Sequence, residues 1–270
     1  VASSHKPVLL EKPMATTLAD AMDIVNLARD YPAVIQLGMQ YRFKAQYVEA
    51  LRAVAAQSAL GEVRTVAVSE YRPPFLDKVD QWNKFNRNSG GTLVEKCCHF
   101  FDLMRFIIGS EPTGVIASGG QNVNHLDEKY HGQTPDIWDN AYVVFDFANG
   151  ARAMLDLCMF AEGSRHSEEL AAIGDKAKVE CLLPQNIVTH GNRETWEVTR
   201  DEIHVPKEIL NAGYHSGATY HQNLAFLSAI KGEAEVPVTA LDGHRAVAMG
   251  VAAQMAVAEK RRVDMMEVGL

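Results

Sequence analysis

Short apolar runs and helical spacings alternate at the start of the chain. Val8, Leu9 and Leu10 form a continuous apolar run, the pattern of a strand buried on both faces of a parallel sheet. Residues 17–31 then place Leu18, Ala21, Ile24, Leu27 and Ala28 at helical spacing. Thr16 or Thr17 can cap this helix, Asp20 lies in its first turn, and Pro32 ends it. A second apolar run at 33–37 completes strand, helix and strand within about 30 residues, which is a βαβ unit. No second unit of this kind follows.

From Lys44 the pattern changes. Residues 44–60 read as an amphipathic helix carrying Val48, Leu51, Val54 and Ala55, closed by Gly61. Residues 63–71 read as a strand. Another helix is predicted after Gly90-Gly91, running through Phe100, Phe101, Leu103, Met104 and Ile107 to Gly109. Strands then dominate. Those at 142–147 and 151–160 flank Asn149-Gly150, a strong short-range hairpin signal. Further strands are expected at 169–173, 178–182, 187–190 and 195–199, separated by turns such as Gly174-Asp175 and Gly191-Asn192. Helices at 220–231 and 242–262 close the chain. The expected fold class is α/β plus α+β: a parallel α/β fragment over residues 1–43, then a mostly antiparallel, open-sheet α+β domain over 44–270.

Bulk composition narrows the function classes only a little. With 47% hydrophobic and 22% charged residues, the 270-residue chain is an ordinary globular sequence. A formal net charge of −8 argues against a nucleic-acid partner, because phosphate-backbone affinity needs clustered Lys and Arg. Cys97, Cys98, Cys158 and Cys181 lack the spacing of a zinc site and read as reduced thiols. No apolar run approaches the roughly 20 residues needed to cross a bilayer, and no signal segment opens the chain. A cytoplasmic protein with no membrane partner is the expectation. The chain begins at Val1 and reaches a strand within a few residues, which suggests a processed or truncated product.

Four segments could carry chemistry. The first follows Gly90-Gly91: Glu95 and His99 are four apart and Asp102 three further on, so one helix would show all three on one face. A carboxylate beside a buried imidazole tunes its proton affinity. The plain alternative is a solvated helix face whose members pair with each other. The second segment, Glu11-Lys12-Pro13, follows the first strand and so lies at the carboxyl edge where open α/β sheets bind ligands. A Lys there can donate to a hydroxyl or carry a proton. The third, Gln40-Tyr41-Arg42 after the next strand, supplies amide, phenol and guanidinium at the same edge, or is an ordinary polar loop. The fourth contains His215, Tyr220 and His221, hydrogen-bonding groups suited to a polyhydroxylated ligand, or incidental residues at a helix entry.

Together and in this order, these segments resemble the Gfo/Idh/MocA oxidoreductases, over essentially the whole chain. Glu11, Lys12 and Pro13 match the family's Glu-Lys-Pro. Gly90, Gly91, Glu95, His99 and Asp102 match its glycine pair and Asp-x-x-x-His-x-x-Asp, with Glu95 one methylene longer than the usual Asp. The resemblance implies that residues 1–43 are the carboxyl-terminal remnant of a dinucleotide-binding Rossmann domain and 44–270 the substrate and oligomerisation domain. It implies NAD or NADP as cofactor, a sugar, inositol or related polyol as substrate, and a homodimer or homotetramer. Lys12, Glu95 and His99 would be catalytic; Arg42, Asp102, His215 and Tyr220 would bind substrate; Glu11, Lys12 and Gln40 would face the cofactor. No G-x-G-x-x-G loop is present to cradle a pyrophosphate. Two other readings stand beside this one. One is an inactive relative that binds a sugar or a partner, and the other a metal-dependent lyase or isomerase using Glu95, His99 and Asp102.

Overall fold

The computed structural model describes residues 2–55, 59–212 and 215–270. The chain opens with β1 (Val8–Leu10), α1 (Leu18–Asp30) and β2 (Ile35–Leu37). β1 and β2 pair in parallel, Val8 opposite Ile35 and Leu10 opposite Leu37. Thr17 caps α1 by accepting from the Asp20 N–H, as the sequence pattern predicts. A 3₁₀ turn, Gln40–Phe43, leads into α2 (Ala45–Ala55). Of the helix predicted at 44–60, residues 56–58 and the side chains of Val54 and Ala55 lie outside the described residues.

The rest builds on one large sheet. Its strands are β3 (Val63–Tyr71), β4 (Pro112–Gly120), β5 (Asn140–Phe147), β6 (Arg152–Cys158), β7 (Glu168–Gly174), β8 (Ala177–Leu183), β9 (Ile187–Asn192), β10 (Val198–Glu202) and β11 (Val263–Asp264). The order is β10-β9-β8-β7-β3-β6-β5-β4-β11. Among the described residues, every pairing in this sheet is antiparallel except β3 with β6. The mostly antiparallel sheet is therefore as expected. β4 is not among the predicted strands, because Pro112, Gly114, Gly119 and Gly120 interrupt its apolar pattern and such residues demote a strand reading.

Alternation along the strands sets one face against the helices. Val66, Val68, Val143, Phe145, Ala153, Leu155, Leu170 and Ala172 point into the core, while Tyr142, Met154 and Ile173 stay exposed. Between β3 and β4 lie a 3₁₀ segment (Val79–Lys84) and three α-helical segments, α3 (Asn86–Ser89), α4 (Thr92–Glu95) and α5 (Cys98–Ile108). The single helix predicted from Gly91 to Gly109 is thus two. The break occurs where the Cys97 N–H reaches back to the Thr92 carbonyl at 3.3 Å, one residue further than an α-helical bond.

After β10 come α6 (Lys207–Asn211), α7 (Ala218–Ile230) and α8 (Ala240–Glu259). A Thr239–Asp242 capping box starts α8. α8 buries Gly243, Ala246, Val247, Met249, Gly250, Ala252, Ala253 and Ala256. Such small residues let it lie against α1, α4, α5 and β4 together, joining the βαβ unit to the sheet. Among the described residues, no helix is long and apolar enough to cross a membrane.

Candidate active site

Because β1 and β2 run in parallel, their carboxyl ends deliver Glu11-Lys12 and Gln40–Phe43 to one edge. The Gly38 N–H donates to the Leu10 carbonyl at 2.7 Å, holding the two exits together. The segment carrying Glu95 comes to the same edge. Gly90 and Gly91 have φ of 78° and 90°, in the left-handed region that disfavours side chains. A Cβ on Gly91 would lie 1.9 Å from Gln254 Oε1, and Gln254 Nε2 donates to the Gly90 carbonyl at 2.9 Å. That turn starts α4, and Glu95 is its last residue.

Lys12 Nζ donates to the Glu95 backbone carbonyl at 2.8 Å and to Glu95 Oε1 at 3.0 Å. Both side chains are largely buried. The longer carboxylate at this position thus reaches Lys12 directly.

His99, the second residue of α5, is 3% exposed. Its ring stacks on Tyr41 with centroids 4.2 Å apart and planes at 8°. Nδ1 is buried and has no hydrogen-bond partner among the described residues. Burial first, then the positive charges of Lys12, Lys96 and Lys44, push its pKa well below 6.5. The imidazole is therefore neutral near pH 7.

A buried polar network backs this pair. Lys96 Nζ donates to Tyr41 Oη at 3.1 Å and pairs with Glu70 at 2.7 Å. Lys44 Nζ pairs with Glu168 at 2.5 Å, and Tyr47 Oη donates to the same carboxylate at 2.8 Å. Burial would raise the pKa of Glu168, but Lys44 and Lys96 outweigh it and pull the value down to about 2. Burial and the nearby Glu168 hold the Tyr41 phenol protonated, well above its usual range.

The other predicted residues are placed differently. Arg42 and Asp102 face each other, with Nε to Oδ2 at 2.7 Å and Nη2 to Oδ1 at 2.6 Å, both side chains buried. Arg42 also donates to the Pro237 carbonyl at 2.9 Å. Asp102 is therefore engaged by Arg42, whereas Glu95 is engaged by Lys12. The expectation of one continuous helical stripe is corrected by the break at Lys96-Cys97, and no group of three metal-ligating side chains exists among the described residues. Gln40 Oε1 accepts from Thr219 Oγ1 at 2.9 Å, tying the β2 exit to α7. His215 approaches Tyr41 at 5.8 Å between ring centroids, and partial burial lowers its pKa, reinforced by Lys44 and Lys96. Tyr220 is half-buried on α7 and packs edge-on against His221 at 5.4 Å. Glu11 is exposed beside Gly38.

Sequence reading offered Tyr41 only as a phenol at the β2 edge, with no role in holding His99, and did not assign Lys44, Lys96, Glu70 or Glu168 to the site. Two of them carried a legible signal. Lys96 lies inside the Glu95–His99 motif, and Glu70 takes an inward position of β3 in alternation with Val66 and Val68. Glu168 comes from a distant strand and carried none.

The depressed histidines predict an acid-sensitive fold. In the unfolded chain His99 titrates near 6.5; in the fold it titrates well below. Between those values the unfolded state binds more protons, so stability rises with pH. This contribution is complete above about pH 6.5 and is lost as pH falls toward the folded pKa. His244, lowered mainly by burial, and His215 act in the same direction. Urea unfolding at about pH 7 and about pH 5 should therefore show lower stability at the acid end, and His99→Gln should shrink the difference. An equal difference in wild type and variant would remove His99 from this account.

Residues 54–265 match the family described as "Oxidoreductase family, C-terminal alpha/beta domain". The chain is 25% identical to inositol 2-dehydrogenase of Rhizobium meliloti over 271 residues, covering 97% of this chain and 74% of that protein. It is 26% identical to myo-inositol 2-dehydrogenase of Thermotoga maritima, covering 99% and 75%. Its fold superposes on a levoglucosan dehydrogenase solved with NADH and levoglucosan, with a TM-score of 0.82 at 18% identity, covering 97% and 75%. Matched along most of its length by the family's domain and by two inositol dehydrogenases, the chain belongs to the Gfo/Idh/MocA oxidoreductase family.

Proposed function

We propose that this chain carries the catalytic groups of a nicotinamide-dependent dehydrogenase acting on a carbinol of a sugar, inositol or related polyol. The observation that carries the reading is the meeting of Lys12 and Glu95 beside a buried, neutral His99. The kinship with inositol dehydrogenases and the fold shared with a levoglucosan dehydrogenase support the substrate class. In this reading residues 1–43 are the end of a dinucleotide-binding domain and residues 44–270 form the substrate domain.

The residues present fit a nicotinamide. Lys12 and Gln40 leave adjacent parallel strands at their carboxyl ends, the edge where open α/β sheets bind nucleotides, and His99 Nδ1 is a buried polar atom with no partner among the described residues. A bound nicotinamide would supply the hydride acceptor for the carbinol carbon. Lys12 donates to the substrate oxygen and holds it in place. His99 accepts the hydroxyl proton on its imidazole, which is neutral at the working pH. Glu95 fixes the Lys12 ammonium through two contacts. The Arg42–Asp102 pair locks the turn after β2 against α5, so the groups from the two segments keep their spacing.

The test supplies the protein, beside a version extended upstream if the gene encodes one, with NAD+ or NADP+ and a panel containing myo-inositol, scyllo-inositol and levoglucosan, and follows the absorbance of reduced nicotinamide. Turnover of at least one polyol is expected. Binding of neither nucleotide and no turnover on any of them would sink the reading and leave a sugar-binding relative in its place.

A further inference from the structure

A catalytic histidine needs a fixed ring plane, and in many sites a carboxylate supplies it by hydrogen bonding to the second ring nitrogen. His99 has no such partner, since its Nδ1 is buried and unpaired among the described residues. What holds the ring is Tyr41, stacked on it at 4.2 Å and 8°. On Tyr41 itself, the Lys44 ammonium lies 3.5 Å from the ring centroid. A parallel imidazole and an ammonium cannot share one face of a phenol at these distances, so Lys44 and His99 bracket the ring from opposite sides. Lys44 is in turn held by Glu168 at 2.5 Å, and the phenol oxygen is held by Lys96 at 3.1 Å. Phe100 closes one edge in a T-shaped contact at 5.4 Å. The Tyr41 ring is thereby restrained on both faces, at one edge and at its oxygen.

We propose that Tyr41, clamped between Lys44 and His99, is the positioning residue that sets the plane of the His99 imidazole by stacking, in place of an orienting carboxylate. A stacked ring fixes orientation without offering an acceptor, which suits a base that must stay uncharged until it takes the substrate proton. An orienting carboxylate would instead raise the imidazole's proton affinity. The charged groups facing His99 point the same way. Lys12 from the β1 exit, Lys96 from the turn before α5 and Lys44 just before α2 all disfavour the imidazolium, and His215 ahead of α7 adds to this only when it is itself protonated. The carboxylates in reach are each paired to one of those lysines: Glu95 to Lys12, Glu70 to Lys96 and Glu168 to Lys44.

This inference rests on the proposed dehydrogenase reading for its kinetic consequence, but not for its structural one. Tyr41→Met removes the ring while keeping apolar bulk, and Tyr41→Phe keeps the ring and removes the hydroxyl. Tyr41→Met is expected to lower kcat by about 10- to 100-fold, the loss typical of a misplaced catalytic group, with KM within about twofold. Tyr41→Phe should stay within about threefold of wild type, because the stacking surface remains. In parallel, NMR of histidine-labelled protein, with His99→Gln for assignment, reads the ring directly. Wild-type His99 should show ring protons shifted upfield by the stacked phenol, and in Tyr41→Met that shift should be lost.

Equal kcat and an equal upfield shift of the His99 ring protons in wild type and Tyr41→Met would overturn the proposal. So would a Tyr41→Phe loss as large as that of Tyr41→Met, which would assign the role to the hydroxyl. If the wild-type protein turns over no polyol, the dehydrogenase reading fails and the NMR measurement alone decides the stack. If Tyr41→Met does not fold, the wild-type and Tyr41→Phe spectra decide: a His99 signal without the upfield ring shift in either overturns the proposal.

Discussion

His99→Ala is expected to lower kcat by about 10²–10⁴-fold, the range that general acid–base help contributes. The KM for the polyol should change far less, because the neutral imidazole acts on the proton leaving the hydroxyl rather than on the bound substrate as a whole. His99 is 3% exposed and its Nδ1 is unpaired among the described residues, so removing it breaks no hydrogen bond described within the fold. The alanine leaves a small cavity against Tyr41, and urea unfolding of the same preparation separates that stability loss from the rate loss. Steady-state kinetics with the polyol found active measures both constants. An unchanged kcat in a folded variant would remove His99 from the reaction.

Asp102→Ala should destabilise the protein by about 3–5 kcal/mol, the cost of leaving one member of a buried ion pair alone. Arg42 is 7% exposed and directs two nitrogens at Asp102, 2.7 and 2.6 Å away. Its remaining contacts are the Pro237 carbonyl at 2.9 Å, the Asp242 carboxylate at 3.4 Å and the face of Phe106 at 4.3 Å. Asp242 already serves Arg105, so its capacity to take over is limited and the lower half of the range is expected. The informative control is the pair Arg42→Met and Asp102→Leu combined. If the single variants suffer because a charge is stranded, the double variant should recover most of the loss, since a buried pair often exchanges for apolar residues at little cost. A double variant as unstable as the sum of both singles would mean that packing, not charge, is what Asp102 supplies. The same experiment weighs the two roles open to Arg42 and Asp102. A substrate-binding role predicts a raised KM in any variant that folds, and a structural pair predicts lost stability with KM preserved.

Much of the fold was legible in local pattern. The Val8 to Leu10 run, the helix capped by Thr17, the inward alternation of β3 and the Asn149-Gly150 hairpin each express a preference of neighbouring residues, and each appears where expected. Misses came where local preference conflicts with its surroundings. Pro112, Gly114, Gly119 and Gly120 hide β4, which exists because β5 and β11 supply its hydrogen bonds on both sides. The helix after Gly91 breaks at Lys96-Cys97 although its composition favours continuity, and the break gives Glu95 and Asp102 different partners.

The candidate site divides along the same line. The motif residues Lys12, Glu95 and His99 were identifiable because their types and order are a property of the chain. Their electrostatics were not. His99 is neutral because a tyrosine from the β2 exit covers it and three lysines from three segments surround it. Each lysine is in turn neutralised by a glutamate from another segment, Glu70 on β3 and Glu168 on β7 among them. Burial and charge proximity are sums over groups far apart in sequence, and a spacing pattern contains no record of them. Residue type and periodicity therefore settled which elements form and which groups are chemically able, because both depend on near neighbours along the chain. Only the packed fold decided which lysine meets which carboxylate and which ring holds the imidazole, because those contacts join residues separated by dozens of positions and exist nowhere but in three dimensions.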